Sequence, residues 1–236
     1  MKSSYKMATA TCALSFALAF TACDDSTSAS DNGGNGGSAN NTNCTEESER
    51  VNCPAIEIEG TIMDSRDCKH YKVATFDTQT WMIENLNYSS CSTKGQSWCY
   101  DNNEANCATY GRLYSWTAAM GIDSKFQKQY TTLSGTQRGI CPEGFHVPSD
   151  AETDVLIANL EESGRINEFA FTFSGKNSFA GFADLGREAY LWTADEDHSE
   201  FGGKENVHIW SYSETFGFGG GSVFKDSGLS IRCVKD

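Results

Sequence analysis

The chain has 236 residues, with 18 Lys and Arg against 32 Asp and Glu and a formal net charge of -14. The length suits one ordinary domain with appendages, and a composition of 39% hydrophobic and 12% aromatic residues excludes wholesale disorder. A pI near 4.6 is wrong for a surface that neutralises phosphates, so no nucleic-acid partner is expected, and ten cysteines are too many for a reduced cytosolic protein of this size.

At the N-terminus, Lys2 and Lys6 precede an apolar stretch from Met7 to Ala22, diluted by Thr and Ser. It is shorter than the roughly 20 strongly apolar residues of a membrane span and suits the core of a secretory leader. The stretch ends Phe20-Thr21-Ala22-Cys23, and small residues directly before a cysteine resemble a bacterial lipobox. Residues 1–22 therefore read as a lipoprotein signal peptide and Cys23 as the lipid-bearing residue. Phe20 is an unusual apolar residue at its place in such a motif. From Asp24 to Asn43 the only apolar residues are Ala29 and Ala39. Such a segment cannot offset the entropy of ordering itself, and as a coil it reaches roughly 25 Å. Residues 23–45 thus read as lipidated Cys and linker, and 46–236 as the folded domain. Loss of Lys2 and Lys6 with the leader deepens the net charge to -16. Anchoring to the membrane then falls to the acyl chains, not to a basic patch. Asp24-Asp25 resembles lipoprotein sorting signals, which direct retention at the inner membrane in some bacteria and surface export in others, and does not choose between them; the expected location is the bacterial cell envelope, with the outer membrane or cell surface ahead of the inner membrane.

Cys12 leaves with the leader. The cysteines after Cys23 are Cys44, Cys53, Cys68, Cys91, Cys99, Cys107, Cys141 and Cys233, and an even count in an exported chain argues for disulfides. Zinc is the competing use, but it favours close pairs such as C-x₂-C, and the tightest spacing here is Cys99 to Cys107. No metal and no cofactor is expected. Spacing alone leaves the connectivity open.

Along the domain, Ile56, Ile58 and Ile62 alternate with Glu57, Glu59 and Thr61 and predict a strand; Tyr71, Val73 and Thr75 predict another. Asp77-Thr78 turns into a run beginning at Gln79, with Trp81 and Met82. Residues 89–107 are rich in Ser, Asn and Cys and read as a stapled loop. Tyr110, Leu113, Tyr114 and Ala118 have helical spacing. Ser149-Asp150-Ala151-Glu152 is a capping box that opens a second helix, continued by Val155, Leu156 and Leu160 and stopped at Gly164. The remainder reads as strands, Val207–Tyr212, Ser222–Lys225 and Leu229–Val234, joined by Gly-rich loops. In the last strand Leu229, Ile231 and Cys233 share one face. Two helices with strands at both chain ends predict an α+β domain.

Several strings are recognisable: WMIENLNY (Trp81–Tyr88), CYDNNEANCATYGRLYSW (Cys99–Trp116), CPEGFHVPSDAE (Cys141–Glu152), SFAGFADLGREAYLWTA (Ser178–Ala194) and IRCV (Ile231–Val234). In this order they resemble the Fibrobacter succinogenes major paralogous domain, a family of exported bacterial proteins, from about Gly60 to the C-terminus. The resemblance implies a C-type-lectin-like fold shared with formylglycine-generating enzymes: two helices, small twisted antiparallel sheets and long disulfide-stapled loops. It also implies a Cys141–Cys233 bond, with Cys99–Cys107 as the obvious local pair. Phe145 and Thr153 stand where the family favours Trp, which thins the packing around the second helix. Cys68 replaces what is often a turn Gly, and Cys91 is also extra. These two suggest a private Cys68–Cys91 bridge, leaving Cys44–Cys53.

Catalysis of the formylglycine-generating kind needs two redox-active cysteines close together in the C-terminal part, which here offers Cys233 alone. His70, His146, His198 and His208 lack metal-ligand spacing, and His146 reads as a structural histidine. No G-x-S-x-G nucleophile elbow occurs. Gly217–Ser222 lacks the Lys of a phosphate loop and reads as a flexible hairpin connection. The Ca²⁺-binding triplets of true C-type lectins are missing. Asp195, Glu196 and Asp197, with Glu200 nearby, form the densest acidic cluster and read as a solvated loop rather than a Ca²⁺ site. Trp81, Trp116 and Trp192 lie in the recognised strings and read as core. Trp98 and Trp210 lie in less regular surroundings, and exposed Trp faces stack on sugars or anchor partners, so these two are the candidate ligand-binding residues. The expected function is a non-catalytic, lipid-anchored extracytoplasmic binding module whose partner is a glycan or envelope component. The alternatives are an envelope structural or protein-interaction protein without a sugar ligand and, behind it, an enzyme of the formylglycine-generating type.

Overall fold

The computed structural model of the chain describes residues 51–89, 96–200 and 202–236. The leader, Cys23, the whole linker with Cys44, and Cys91 lie outside the described residues.

The chain opens with three antiparallel strands, β1 (Thr61–Asp64), β2 (Lys69–Phe76) and β3 (Gln79–Met82). A short β4 (Ser97–Trp98) leads to helix α1 (Glu104–Tyr110), β5 (Leu113–Tyr114) and the single turn α2 (Trp116–Ala119). Next come β6 (Phe145–His146), the long helix α3 (Asp150–Ser163) and a second single turn, α4 (Ile166–Phe169). The C-terminal part holds β7 (Lys176–Ser178), β8 (Gly181–Ala183), β9 (Ala189–Glu196), β10 (Asn206–Ser213), β11 (Gly217–Phe224) and β12 (Val234–Lys235). The described part is thus a mixed helix and sheet domain with four α-helices and small antiparallel sheets. The largest sheet has the order β1-β2-β3-β12-β6, a second has β11-β10-β9, and β4-β5 and β7-β8 form two ribbons.

The sequence explains the helix that matters most. Ser149 Oγ accepts the Glu152 N–H while the Glu152 carboxylate accepts the Ser149 N–H, so the capping box of α3 is complete. Gly164 ends the helix at φ 70, where a side chain would be strained. The Leu156 and Leu160 side chains, one turn apart, are wholly buried against Phe76, Trp81, Phe169, Leu191 and Trp210. Each such leucine contributes about 1.5–3 kcal/mol by leaving water. A second apolar cluster gathers Tyr114, Trp116, Trp192, Ile231 and the Cys141–Cys233 pair. The last string, IRCV, is buried on both faces. Arg232 donates to the carbonyls of Phe169 and Ala170 and to Asn85 Oδ1, which satisfies a cation that burial pulls below its ordinary pKa.

Several expectations are corrected. Ile56 and Ile58 are exposed and belong to no strand; pairing with β2 begins only at Thr61, opposite Lys72. The helical spacing from Tyr110 to Ala118 spans three elements rather than one helix. Gly111, at φ 77, ends α1 where an added Cβ would sit 2.6 Å from the Asn85 Cβ, and Ser115 caps a new turn. Residues 89–107 hold β4 and the start of α1, not only loop. Gly217–Ser222 is not a flexible connection but most of β11, paired with β10 in unbroken register from Ser213↔Gly217 to Asn206↔Phe224.

Among the described residues the disulfides are Cys53–Cys68, Cys99–Cys107 and Cys141–Cys233. The last two are the pairs the resemblance implies. The first replaces the expected Cys68–Cys91 and Cys44–Cys53 bridges. Asp64 accepts the Cys68 N–H through its carbonyl at 2.8 Å, and this tight turn brings the Cys68 Cα to 5.3 Å from that of Cys53. Cys68 sits at φ 61, the left-handed region that explains why glycine suits this turn.

Candidate functional site

Around the first turn of α3, two histidines tie the helix to opposite neighbours. On one side, His146 of β6 pairs through Nδ1 with the Asp236 carboxylate and through Nε2 with that of Glu152, both at 2.8 Å. It is the satisfied structural histidine that the sequence suggests. Glu152 is held below the usual carboxylate range: burial works against its charge, but the Ser149 backbone and hydroxyl, and then His146, outweigh it. On the other side, His208 of β10 bonds through Nδ1 to the Asp150 carboxylate, and its Nε2 lies 3.5 Å from Asp197. Burial opposes the charged ring, yet the Asp150 hydrogen bond and the two carboxylates raise the His208 pKa. Hydrogen bonds from Ser199 and then Ser222 hold Asp197 well below the carboxylate range. The helix N-terminus is filled as well, because the Asp150 N–H donates to Asp195 at 2.6 Å.

Between α3 and the β10–β11 hairpin lies a cleft of about 550 Å³. Polar groups on its walls include Asp150, Asp154, Asp197, Ser199, His208 and Ser222, and its apolar surface comes from Ile157, Trp210 and Phe218. Strand pairing explains the arrangement. His208 faces Ser222, Trp210 faces Gly220 and Tyr212 faces Phe218 across the hairpin, so alternate residues stand on one face. Gly220 brings no side chain, which leaves the backbone of an exposed strand as one wall. Asp154 is exposed at the rim and has no partner among the described residues. Trp210 is buried, and its indole Nε1 is a buried donor without an acceptor.

The Ser222 hydroxyl donates to Asp197 rather than to His208. A buried donor without an acceptor carries a cost of about 1–3 kcal/mol.

The two tryptophans proposed from sequence part company. Trp210 is not an exposed platform: Trp81, Phe169, Phe171 and Phe218 surround it, with ring centroids 5.8–6.5 Å away. It reaches the cleft only as wall. Trp98 is half-buried on the β4–β5 ribbon opposite Leu113, packed against Gly228, and is not part of the cleft. Trp81, Trp116 and Trp192 are fully buried.

The acidic cluster is not a solvated loop either. Asp195 holds the α3 N-terminus, and Asp197 holds Ser199 and Ser222. Glu196 pairs with the buried Lys225 and accepts from Thr131 N and Oγ1 at 2.9 and 2.7 Å. Lys225 also donates to the carbonyls of Phe126, Gln129 and Lys204 and lies over the Trp116 ring at 4.9 Å. Among the described residues one trio of metal-ligating types converges, Cys99, Glu104 and Cys107, and its two sulfurs are already bonded to each other. Sequence reasoning missed Asp150, Asp154 and His208 as cleft residues, since only the packing of α3 on the hairpin brings them together. No described helix is long and apolar enough to cross a membrane.

A disulfide-stapled domain whose cleft lies between one capped helix and a glycine-rich hairpin is thus defined. Residues 75–175, less than half of the chain, match the model of the Fibrobacter succinogenes major domain, and that segment is similar to the family. The matched segment is shorter than the stretch of resemblance. It contains α3, with Asp150 and Asp154, but not the β9–β11 wall of the cleft. No curated protein and no solved structure matches the chain.

Proposed function

We propose that this protein is a non-catalytic, lipid-anchored binding module of the bacterial envelope, of C-type-lectin-like fold, and that it holds a glycan in the α3–β10–β11 cleft. The observation that carries the reading is the lining of that cleft: hydroxyls, carboxylates and a histidine set around Trp210 and Phe218. Sugars offer hydroxyls to such groups and C–H faces to aromatic rings. Three carboxylates on the walls favour neutral or amine-bearing sugars over acidic ones. The three disulfides among the described residues support an oxidising location, and the lipobox-like Cys23 supports an anchor. The pairing of β3 with β12 and the Cys141–Cys233 bond, which bring the two ends of the domain together, support the lectin-like topology.

The test is a glycan array probed with the full chain in detergent, alongside Gly220→Leu and Asp154→Asn. The reading expects binding to neutral or amino glycans. Gly220→Leu, which puts a side chain into the cleft from an exposed strand, abolishes it, and Asp154→Asn weakens it about tenfold. An array on which the wild-type chain binds nothing, or on which Gly220→Leu binds as well as wild type, contradicts it.

A further inference from the structure

The β11 strand is the outer edge of its sheet, eight residues long and mostly exposed. Edge strands of this length are normally protected by charges, proline, bulges or a covering element, because their free N–H and C=O groups invite another strand. Gly217–Phe224, GFGGGSVF, carries no charge and no proline in a chain of net charge -14, and its register with β10 has no bulge. The bond from the Lys225 N–H to the Glu205 carbonyl sets the parity of the ladder. Odd-numbered residues of β11 bond to β10, and Phe218, Gly220 and Ser222 turn their backbone groups outward, while the Phe224 carbonyl accepts the Ser227 N–H at 2.9 Å. By contrast, β9, at the opposite side of this sheet, is covered: Ala189 and Leu191 bridge to Gly175 and Ser230.

We propose that β11 pairs antiparallel with β11 of a second copy of this chain, about a twofold axis at Gly221. The strand is self-complementary in that register. Gly220 meets Ser222 of the second copy, with both sets of outward backbone groups in place. Phe218 meets Phe224 twice, on the same face, and so covers the Phe224 ring that is 49% exposed in the single chain. Like-charged chains repel, and the uncharged strand is where two copies approach without setting like charges directly opposite. The paired hairpins form one six-stranded sheet, and the closure is isologous, so it stops at the dimer.

The test is disulfide crosslinking of the full chain carrying Gly221→Cys, read on a non-reducing gel. An added Cβ at Gly221 meets nothing within 4 Å, so the variant folds as the parent does. In this register the two introduced thiols are directly opposed in a non-hydrogen-bonded pair, where side chains lie closest. Most of the protein is expected at twice the chain mass. Ser222→Cys, whose copies lie on a diagonal, stays monomeric. Adding Gly220→Pro, which removes an outward N–H and no bond to β10, cuts the crosslinked fraction at least tenfold. Absence of a Gly221→Cys crosslink overturns the proposal, as does equal crosslinking by Ser222→Cys or a crosslink indifferent to Gly220→Pro.

Discussion

Asp150 at the first position of α3 and His208 in β10, 58 residues apart, share a hydrogen bond. It is the strut between the helix and the hairpin that wall the cleft.

That strut makes stability depend on pH in a defined direction. The folded His208 pKa lies above its ordinary 6.5. Its contribution is therefore complete below about pH 6.5 and is lost as pH rises through the folded value. Urea midpoints measured from pH 6 to 9 are expected to fall, and His208→Gln to flatten that fall. An unchanged slope in the variant would show that the ring is not paired in solution. At the acid end the lowered Asp197 and Glu152 act oppositely: their contribution is present above the unfolded carboxylate range and disappears as pH drops through the folded values.

The buried pair of Lys225 and Glu196 is a second strut, with side chains 0% and 6% exposed. Removing one partner strands the other charge and three carbonyls. Lys225→Met is expected to cost about 3–5 kcal/mol in chemical denaturation, and adding Glu196→Gln to recover part of it. A cost below about 1 kcal/mol would mean that Glu196 reaches water.

Trp210 is core before it is cleft. Trp210→Ala is expected to destabilise the domain by about 3–5 kcal/mol, whereas Trp98→Ala, at a half-buried site, costs less. Equal and small losses at the two positions would restore the surface role that the sequence suggested for both.

Peptide mapping of the unreduced protein is expected to yield Cys53 linked to Cys68. A closed loop of that length is worth about 3 kcal/mol. Cys68→Gly frees the left-handed turn of strain while losing the bridge, so it should cost less than Cys68→Ala, which loses the bridge and keeps the strained φ. A Cys68–Cys91 peptide would reverse the correction.

The contrast between α3 and β11 shows what was legible. The start and end of α3 are local chemistry, Ser149 with Glu152 and then Gly164, and local chemistry is written in adjacent residues. The β2–β3 hairpin was readable for the same reason. Gly217–Ser222 was not: three consecutive glycines have no strand preference of their own, and only eight pairings with β10 make them a strand. Ile56 and Ile58 show the converse, alternation without a partner. From Tyr110 to Ala118 the apolar spacing fits a helix, and Gly111, whose Cβ has no room beside Asn85, decides against it. The cleft was the least legible part. Asp150, Asp197, His208 and Ser222 meet only through tertiary packing, and the run Asp195–Asp197 gives no sign that each carboxylate faces a different partner.

Trp210 forms part of the cleft wall, and its indole N–H signal reports on that wall. In a ¹H–¹⁵N spectrum of the full chain in detergent, its signal can be assigned by its loss in Trp210→Phe. Titration with a neutral or amino glycan that binds on the array is expected to move that signal well beyond those of buried Trp81, Trp116 and Trp192. A glycan that binds while the Trp210 signal stays in place would contradict the account.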